Sequence, residues 1–351
     1  MKKRVLSLVL ILVMVMGLLA GCGSSGNDKK DEVYTLSVTI TQPAESPFGK
    51  IVGEWCNTIK ERSGGRLNLE VYYSGTLLAV TDTATGVMDG FADIGFLPSN
   101  LGKDYFPVTG NLLCWPFMGY PSTLDGYETI KTVFAEFPEV EAEYEAVGLK
   151  FLGAYLMGRN DLYFGKEQNV QSPADLKGKK IGVSSAFFNE YLTALGAAPV
   201  FVTNADLYTS LDNGVVDGII QHLSLVNSTG TLDVVKGATY VGDAGMLRDL
   251  GIFIMNGDKY NSLPADLQEI LVKGFQEMLD AQTADEEAKW GIFYNKLEAN
   301  GAKLIHVDEA GFAEWAALAS GIHESQLAAL ESKCPNIRTI YDRVMELNGM
   351  K

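Results

Sequence analysis

Nucleophiles, bases and phosphate-cradling glycines are the residues that reveal an enzyme, and in this chain their spacing argues against one. A G-x-G-x-x-G string occurs at Gly21-Cys22-Gly23-Ser24-Ser25-Gly26. It follows an apolar N-terminal run instead of a strand, so it has no βα turn to form. Lys177-Gly178-Lys179-Lys180 gathers lysines about a glycine, but it lacks the hydroxyl residue after the lysine and the earlier glycine of a P-loop. No G-x-S-x-G, S-x-x-K or H-E-x-x-H is present. His222, His306 and His323 are scattered, and no two share a ligand spacing. His306 sits in the strand-like Lys303–Val307, where a structural histidine is expected. Cys56, Cys114 and Cys334 are far apart with no C-x-x-C, so neither a zinc site nor a disulfide framework is indicated. One bridge with a free thiol and three buried thiols both remain open. The residue set points to binding without catalysis, with no metal and no cofactor.

The N-terminus sets the compartment in which such binding would occur. Lys2, Lys3 and Arg4 precede an apolar run, Val5–Ala20, of 16 residues, shorter than the ~20 that span a bilayer. The run ends in Leu19-Ala20-Gly21-Cys22, which reads as a lipoprotein signal over 1–21 with Cys22 as the lipidated mature N-terminus; an uncleaved signal anchor is the alternative. Residues 22–33 then form a flexible tether, since Gly, Ser and charged side chains bury little apolar surface. The whole chain carries 28 basic and 44 acidic residues; removing Lys2, Lys3 and Arg4 leaves 25 against 44, a net of −19. So acidic a surface excludes nucleic acid as a partner and suits a soluble extracytoplasmic body anchored to the cell membrane.

The elements that must position a ligand follow a β-α-β order. Tyr34–Thr41 alternates as a strand does, and Ser46-Pro47 supplies an N-cap and first-turn proline for the helix carrying Ile51, Val52, Trp55 and Ile59. Leu67–Tyr73 is the next strand. Gly86-Val87-Met88-Asp89-Gly90 is echoed by Gly214-Val215-Val216-Asp217-Gly218. Each copy closes a helix and feeds a strand, with the second glycine suited to a left-handed helix end. The echo suggests two α/β lobes with a ligand cleft between them. A long helix from Leu263-Pro264-Ala265-Asp266 to about Glu298 is placed to brace both lobes, and helical segments at Ala310–Glu331 and Asn336–Leu347 close the chain.

Ser172-Pro173-Ala174-Asp175-Leu176-Lys177-Gly178-Lys179-Lys180-Ile181 resembles the SPEDLKGLKIR segment of the extracytoplasmic solute receptors of TRAP transporters (the DctP-like family). Leu195–Val200, Asp206–Leu211, Gly214–Gly218, Ser74–Leu78, Gly90–Phe96, Phe137–Val140, Met255-Asn256 and Ser262–Gln268 follow in the family's order. The resemblance implies an α/β, two-lobed periplasmic-binding-protein-like fold with an interlobe cleft and a long helix spanning both lobes. It implies lobe I at 34–155 with roughly 246–280 returning to it, and lobe II at 156–245 with part of 300–315. The bridging helix would be 264–298 and the C-terminal helices 310–351. It also implies a small organic solute, an organic acid first, handed to TRAP membrane subunits. A receptor for an ATP-driven importer, a secreted enzyme on this scaffold and a ligand-presenting sensor are the competing functions.

Residue by residue, the family's carboxylate-binding arginine after Lys-Ile falls here on Gly182, so the ligand charge must be met elsewhere or be absent. Arg159 stands near a second cleft arginine of some members, with pairing to Asp161 as its alternative. Ser184 and Ser185 lie at a strand-to-helix junction, as ligand contacts or a plain cap. Asn204, Tyr208, Gln221 and His222 complete the second-lobe set, with a core role the alternative for Tyr208. Thr41, Gln42, Phe96 and Tyr105 are the first-lobe candidates.

Overall fold

The computed structural model describes residues 32–351; the signal segment 1–21, Cys22 and the tether as far as Asp31 lie outside the described residues. Two sheets carry the fold. In the first, β1 (Tyr34–Thr39) runs parallel to β2 (Leu67–Tyr72) and β3 (Ile94–Pro98). β4 (Leu149–Leu156) completes that sheet. The second holds β5 (Asn160–Phe164), β6 (Lys180–Val183), β7 (Ala198–Phe201), β8 (Gly218–His222) and β9 (Gly237–Val241). The chain then returns as β10 (Leu250–Asn256) between β3 and β4 of the first sheet, and β11 (Lys303–Val307) joins the second beside β9.

The sheet orders, β2-β1-β3-β10-β4 and β7-β6-β8-β5-β9-β11, are equivalent over their first five positions. In each, three parallel strands are followed by one antiparallel strand, β10 or β5, and then a strand antiparallel to that one. The antiparallel strands are the two made immediately after the chain changes lobe. The exchange leaves a two-stranded ribbon between lobes: Met157 N donates to Asp249 O at 2.8 Å, Asn160 N to Leu247 O at 2.9 Å, and Met246 N to Asn160 O at 3.0 Å.

Helices α1 (Pro47–Arg62), α2 (Thr83–Met88), α3 (Thr123–Glu136), α4 (Glu139–Glu145) and α8 (Gly257–Ser262) cover the first sheet. α5 (Asn189–Ala194), α6 (Leu207–Asp212) and α7 (Leu223–Ser228) cover the second. Ser46 caps α1 as its sequence implies, accepting from Gly49 N at 3.0 Å with Pro47 in the first turn. α9 (Ala265–Ala299) spans both lobes. Leu267, Leu271, Phe275, Met278 and Leu279 enter the first core, while Trp290, Phe293, Tyr294 and Leu297 enter the second. Between these apolar ends the buried face turns polar for one turn, at Gln282 and Thr283.

α10 (Glu309–Leu330) makes the same passage. Its Phe312, Trp315, Ala319 and Ile322 belong to the second lobe, and Leu327 and Leu330 to the first. At its crossing point His323 is 3% exposed, stacked on Trp115 and held by Pro116 O at 2.9 Å and Tyr341 Oη at 3.2 Å. α11 (Ile337–Leu347) seals the first core with Ile337, Ile340 and Val344.

The internal echo is real but shifted by four residues. The left-handed residue is Gly90 (φ 76°) in one lobe and Gly214 (φ 67°), not Gly218, in the other. Each glycine follows a helix whose carbonyls close the turn in the same pattern: Phe91 N and Ala92 N reach Gly86 O, and Val215 N and Val216 N reach Ser210 O. The equivalent segments are Gly90-Phe91-Ala92-Asp93 and Gly214-Val215-Val216-Asp217. Their aspartates do the same work, since Asp93 accepts from Ser37 N of β1 and Asp217 from Lys180 N of β6, both at 2.8 Å. The carboxylate clamps the parallel neighbour strand at the lobe's outer edge and so sets the register of the strands leading to the cleft.

Candidate functional site

The carboxyl edges of both sheets meet at the ribbon, and the polar side chains there form the candidate solute site. Arg159 is at its centre, and the structure gives it the second of its two expected roles. Its Nε and Nη2 fork onto Asp161 at 2.7 and 2.8 Å, Nη2 also donates to Gly242 O at 2.8 Å, and Nη1 donates to Asp243 O at 2.9 Å. The guanidinium stacks over Tyr240 and Trp290 at 5.5 and 5.8 Å. Burial opposes its charge, but Asp161 outweighs that and holds Arg159 above the ordinary arginine range. The close packing needs Gly245, whose φ is 74° and where a Cβ would lie 2.9 Å from Arg159 Cβ.

Gly182 is equally committed to packing. A Cβ there would meet Ile219 at 3.0 Å, Val202 at 3.2 Å and Val216 at 3.5 Å. Methyl groups have closed around the position the family's arginine would leave from. Beyond β6, Ser184 and Ser185 are half-buried, and Ser185 Oγ accepts from Phe187 N at 3.3 Å. Ser184 makes no side-chain hydrogen bond among the described residues. Asn204 is exposed on the turn before α6. Tyr208 is 39% exposed, which rules out its core alternative.

Gln221 and His222 end β8 opposite Asp161 and Asn160 of β5. Gln221 Oε1 accepts from His222 N at 3.0 Å, and His222 Nδ1 accepts from Leu225 N at 3.4 Å to cap α7. Burial lowers the His222 pKa to about 4, so the ring is neutral near pH 7 and serves as a hydrogen-bonding group.

Thr41 and Gln42 lie half-buried past β1, with their side chains 3.4 Å apart. The other two first-lobe candidates are not at the cleft. Phe96 is fully buried in the first core, its ring 4.6 Å from Phe48 and 5.1 Å from Phe253, because β3 turns it toward α1 and β10. Tyr105 lines a separate cavity of about 530 Å³ with Val108, Glu143, Lys333 and Cys334, on the surface between α4 and the turn before α11.

The ribbon's second strand and the α9 waist bring further buried polar residues beside these candidates, none of them singled out from the sequence. Asp249 is buried, its carboxyl pushed up to about 6 by burial despite hydrogen bonds from Leu250 N, Asn100 and Ser99. Arg248 beside it is 4% exposed. Glu286 on α9 accepts from Ser224 Oγ at 2.9 Å and Gln282 Nε2 at 3.1 Å, and burial raises its pKa. Two signals pointed here: a charged pair, Arg248-Asp249, interrupting the apolar run into β10, and a Gln-x-x-x-Glu pair in the buried turn of a long helix. The cysteines Cys56, Cys114 and Cys334 are three buried free thiols. Among the described residues no cluster suits a metal ion, and no helix is long and apolar enough to cross a membrane.

Residues 38–329 match the family model of bacterial extracellular solute-binding proteins, family 7. The 2,3-diketo-L-gulonate-binding periplasmic protein YiaO of Escherichia coli is 27% identical over 262 residues, 73% of this chain and 76% of that one. Two solved structures share the fold. A TRAP periplasmic solute-binding protein from a Sulfitobacter species, with bound β-D-galacturonate, superposes with a TM-score of 0.77 at 19% identity, covering 89% of this chain and all of that one. A marine metagenome TRAP solute-binding protein, specific for pyroglutamate, superposes at 0.75 with 20% identity over 91% of this chain and all of that one.

Proposed function

The chain belongs to the family 7 bacterial extracellular solute-binding proteins, and on that premise we propose that it captures a small organic acid and delivers it to a TRAP-type secondary transporter. Galacturonate and pyroglutamate, held by two proteins of the same fold, are both compact carboxylates with further hydrogen-bonding groups. The observation that carries the reading is the polar waist itself. There the second lobe gathers Asn160, Gln221, His222 and Ser224 beside Glu286 of the bridging helix, and a solute held by them and by the facing first lobe would favour the closed arrangement over the open one. On this reading the protein binds and releases its solute unchanged, and the Ser224–Glu286 hydrogen bond at 2.9 Å serves to line the site. Lipidation at Cys22 would keep it beside the permease, as the signal at 1–21 implies.

Titrating the purified protein with small acids, keto acids and neutral metabolites while following its melting temperature tests this reading. A true solute should raise the melting temperature further with each increase in concentration above its dissociation constant, by about 2.7 kcal/mol of stability at a hundredfold excess. Conversion of the solute during the titration, or no response to any compound, would sink the reading.

A further inference from the structure

We propose that Arg248 is the anion anchor of the interlobe site, holding the solute's carboxylate in place of the charge that Gly182 does not supply; this rests on the solute-receptor reading above. Arg248 lies on the ribbon strand entering β10, at the carboxyl edge of the first sheet, and is 4% exposed. Its Nε donates to Tyr120 O at 3.3 Å and its Nη1 to Thr123 Oγ1 at 2.9 Å, both uncharged acceptors. Nη2 makes no hydrogen bond, and it is not among the enclosed unpartnered atoms such as Gln282 Oε1, so solvent reaches it. Among the described residues no carboxylate comes within 4.0 Å of this guanidinium.

The acids around it are occupied elsewhere. Asp161 is forked by Arg159, Glu286 accepts from Ser224 and Gln282, and Glu287 accepts from Thr123 N at 2.9 Å. The neighbouring Asp249 turns the other way, onto Leu250 N at 2.8 Å and the Ser99–Cys114 side of the first lobe. Arg248 is therefore a buried cation with no carboxylate in direct contact; Glu287, Asp161 and Glu286 favour its charge only from a distance, and a buried charge without a direct partner is costly. Burial and the nearby Arg159 push its pKa down to about 10, so it stays charged at neutral pH. A solute carboxylate would use the free Nη2 protons and the second Nη1 proton in the two-pronged geometry guanidinium favours. The contrast with Arg159 gives the division of labour: one arginine is neutralised from within and braces the ribbon, while the other awaits an external anion.

Acid and amide forms of one solute separate a carboxylate anchor from general polar binding. The purified protein, Arg248→Gln and Arg248→Lys are titrated with pyroglutamate, pyroglutamamide, D-galacturonate, D-galacturonamide and a panel of neutral sugars and polyols. In the wild type at least one acid should bind roughly tenfold or more tightly than its amide, the scale of a charge-assisted hydrogen bond. Arg248→Gln should erase that difference, and Arg248→Lys should keep an intermediate acid preference because the charge remains without the fork. If Arg248→Gln shows no cooperative melt, Arg248→Lys decides: acid affinity equal to the wild type would overturn the assignment. Equal binding of acid and amide in the wild type would overturn it too. Binding of a neutral compound with neither acid bound would overturn the anchor and leave the receptor reading intact, whereas no binding at all would overturn both.

Discussion

Two arginines, Arg159 and Arg248, show how little an amino acid's type reveals about its work. Arg159 has a dedicated partner at i+2, which in a β-strand lies on the same face. The pair is buried, with the Asp161 side chain wholly enclosed. Arg159→Ala would leave that buried carboxylate without its cation, with the Val241 amide its remaining donor. Urea unfolding should show a loss of about 3–5 kcal/mol, the usual consequence of removing one partner of a buried ion pair. A loss below 1 kcal/mol would mean that water replaces the guanidinium and that the pair is not the brace described. Gly182 carries the same lesson in reverse. Its missing side chain looks like a lost contact, but the methyl groups of Val202, Val216 and Ile219 have taken the space.

At the scale of elements, the shifted echo makes a quantitative statement. Gly90 and Gly214 hold left-handed backbone with no crowding: nothing lies within 4 Å of a Cβ at Gly214, and only Asn256 Nδ2 lies at 4.0 Å for Gly90. Gly90→Ala and Gly214→Ala should therefore cost nearly the same, about 1 kcal/mol each, because both pay only the conformational penalty. Gly218→Ala should cost more despite its ordinary φ, since its Cβ would lie 2.6 Å from Phe164 and 3.0 Å from Tyr163 O. Thermal melts of the three variants check this, and the opposite ordering would restore the unshifted alignment of the two turns. The spacing of the repeated letters could be read from sequence, but which glycine turned left-handed could not. That choice depends on where each helix runs out of partners for its last carbonyls.

For the whole molecule, the buried titratable groups oppose one another in pH. His222 and His323 have pKa values lowered to about 4, chiefly by burial. The stability they allow is present above the unfolded value near 6.5 and is lost as pH falls toward 4. Glu143 and Asp249 are pushed up to about 7 and about 6 by burial. Their contribution is greatest below the unfolded values near 4 and is lost as pH rises through 6 and 7. Glu143→Gln removes one side of this balance. Its stability relative to the wild type should improve by about 2.5 kcal/mol between pH 5 and pH 8, at about 1.36 kcal/mol per unit of displaced pKa, since part of the shift is spent below pH 5. Denaturant titrations at the two pH values measure the change, and a constant difference would show that Glu143 is ionised throughout.

Much of the architecture was legible in the chain because it is written in local terms. The Ser46-Pro47 cap, the alternation of β1, the length of α9 and the run around Ser172–Ile181 need no distant partner to be read. Gln221 and His222, singled out by the family resemblance, end β8 opposite Asp161 and Asn160. Phe96 and Tyr105 could not be placed from sequence, since which face of β3 is covered by Phe48 and Phe253, and where the loop after it lies, depend on elements far away in sequence. Arg248 was invisible for the same reason. Nothing near it in the chain says that Asp161, Glu286 and Glu287 will all be engaged by other donors when the lobes assemble. The amino-acid order alone determined the family, the two α/β lobes and the absence of catalytic spacing, which are properties of pattern. Only the tertiary structure decided which arginine is neutralised and which is left unpaired, because charge compensation is a matter of distances that exist only once both lobes are joined.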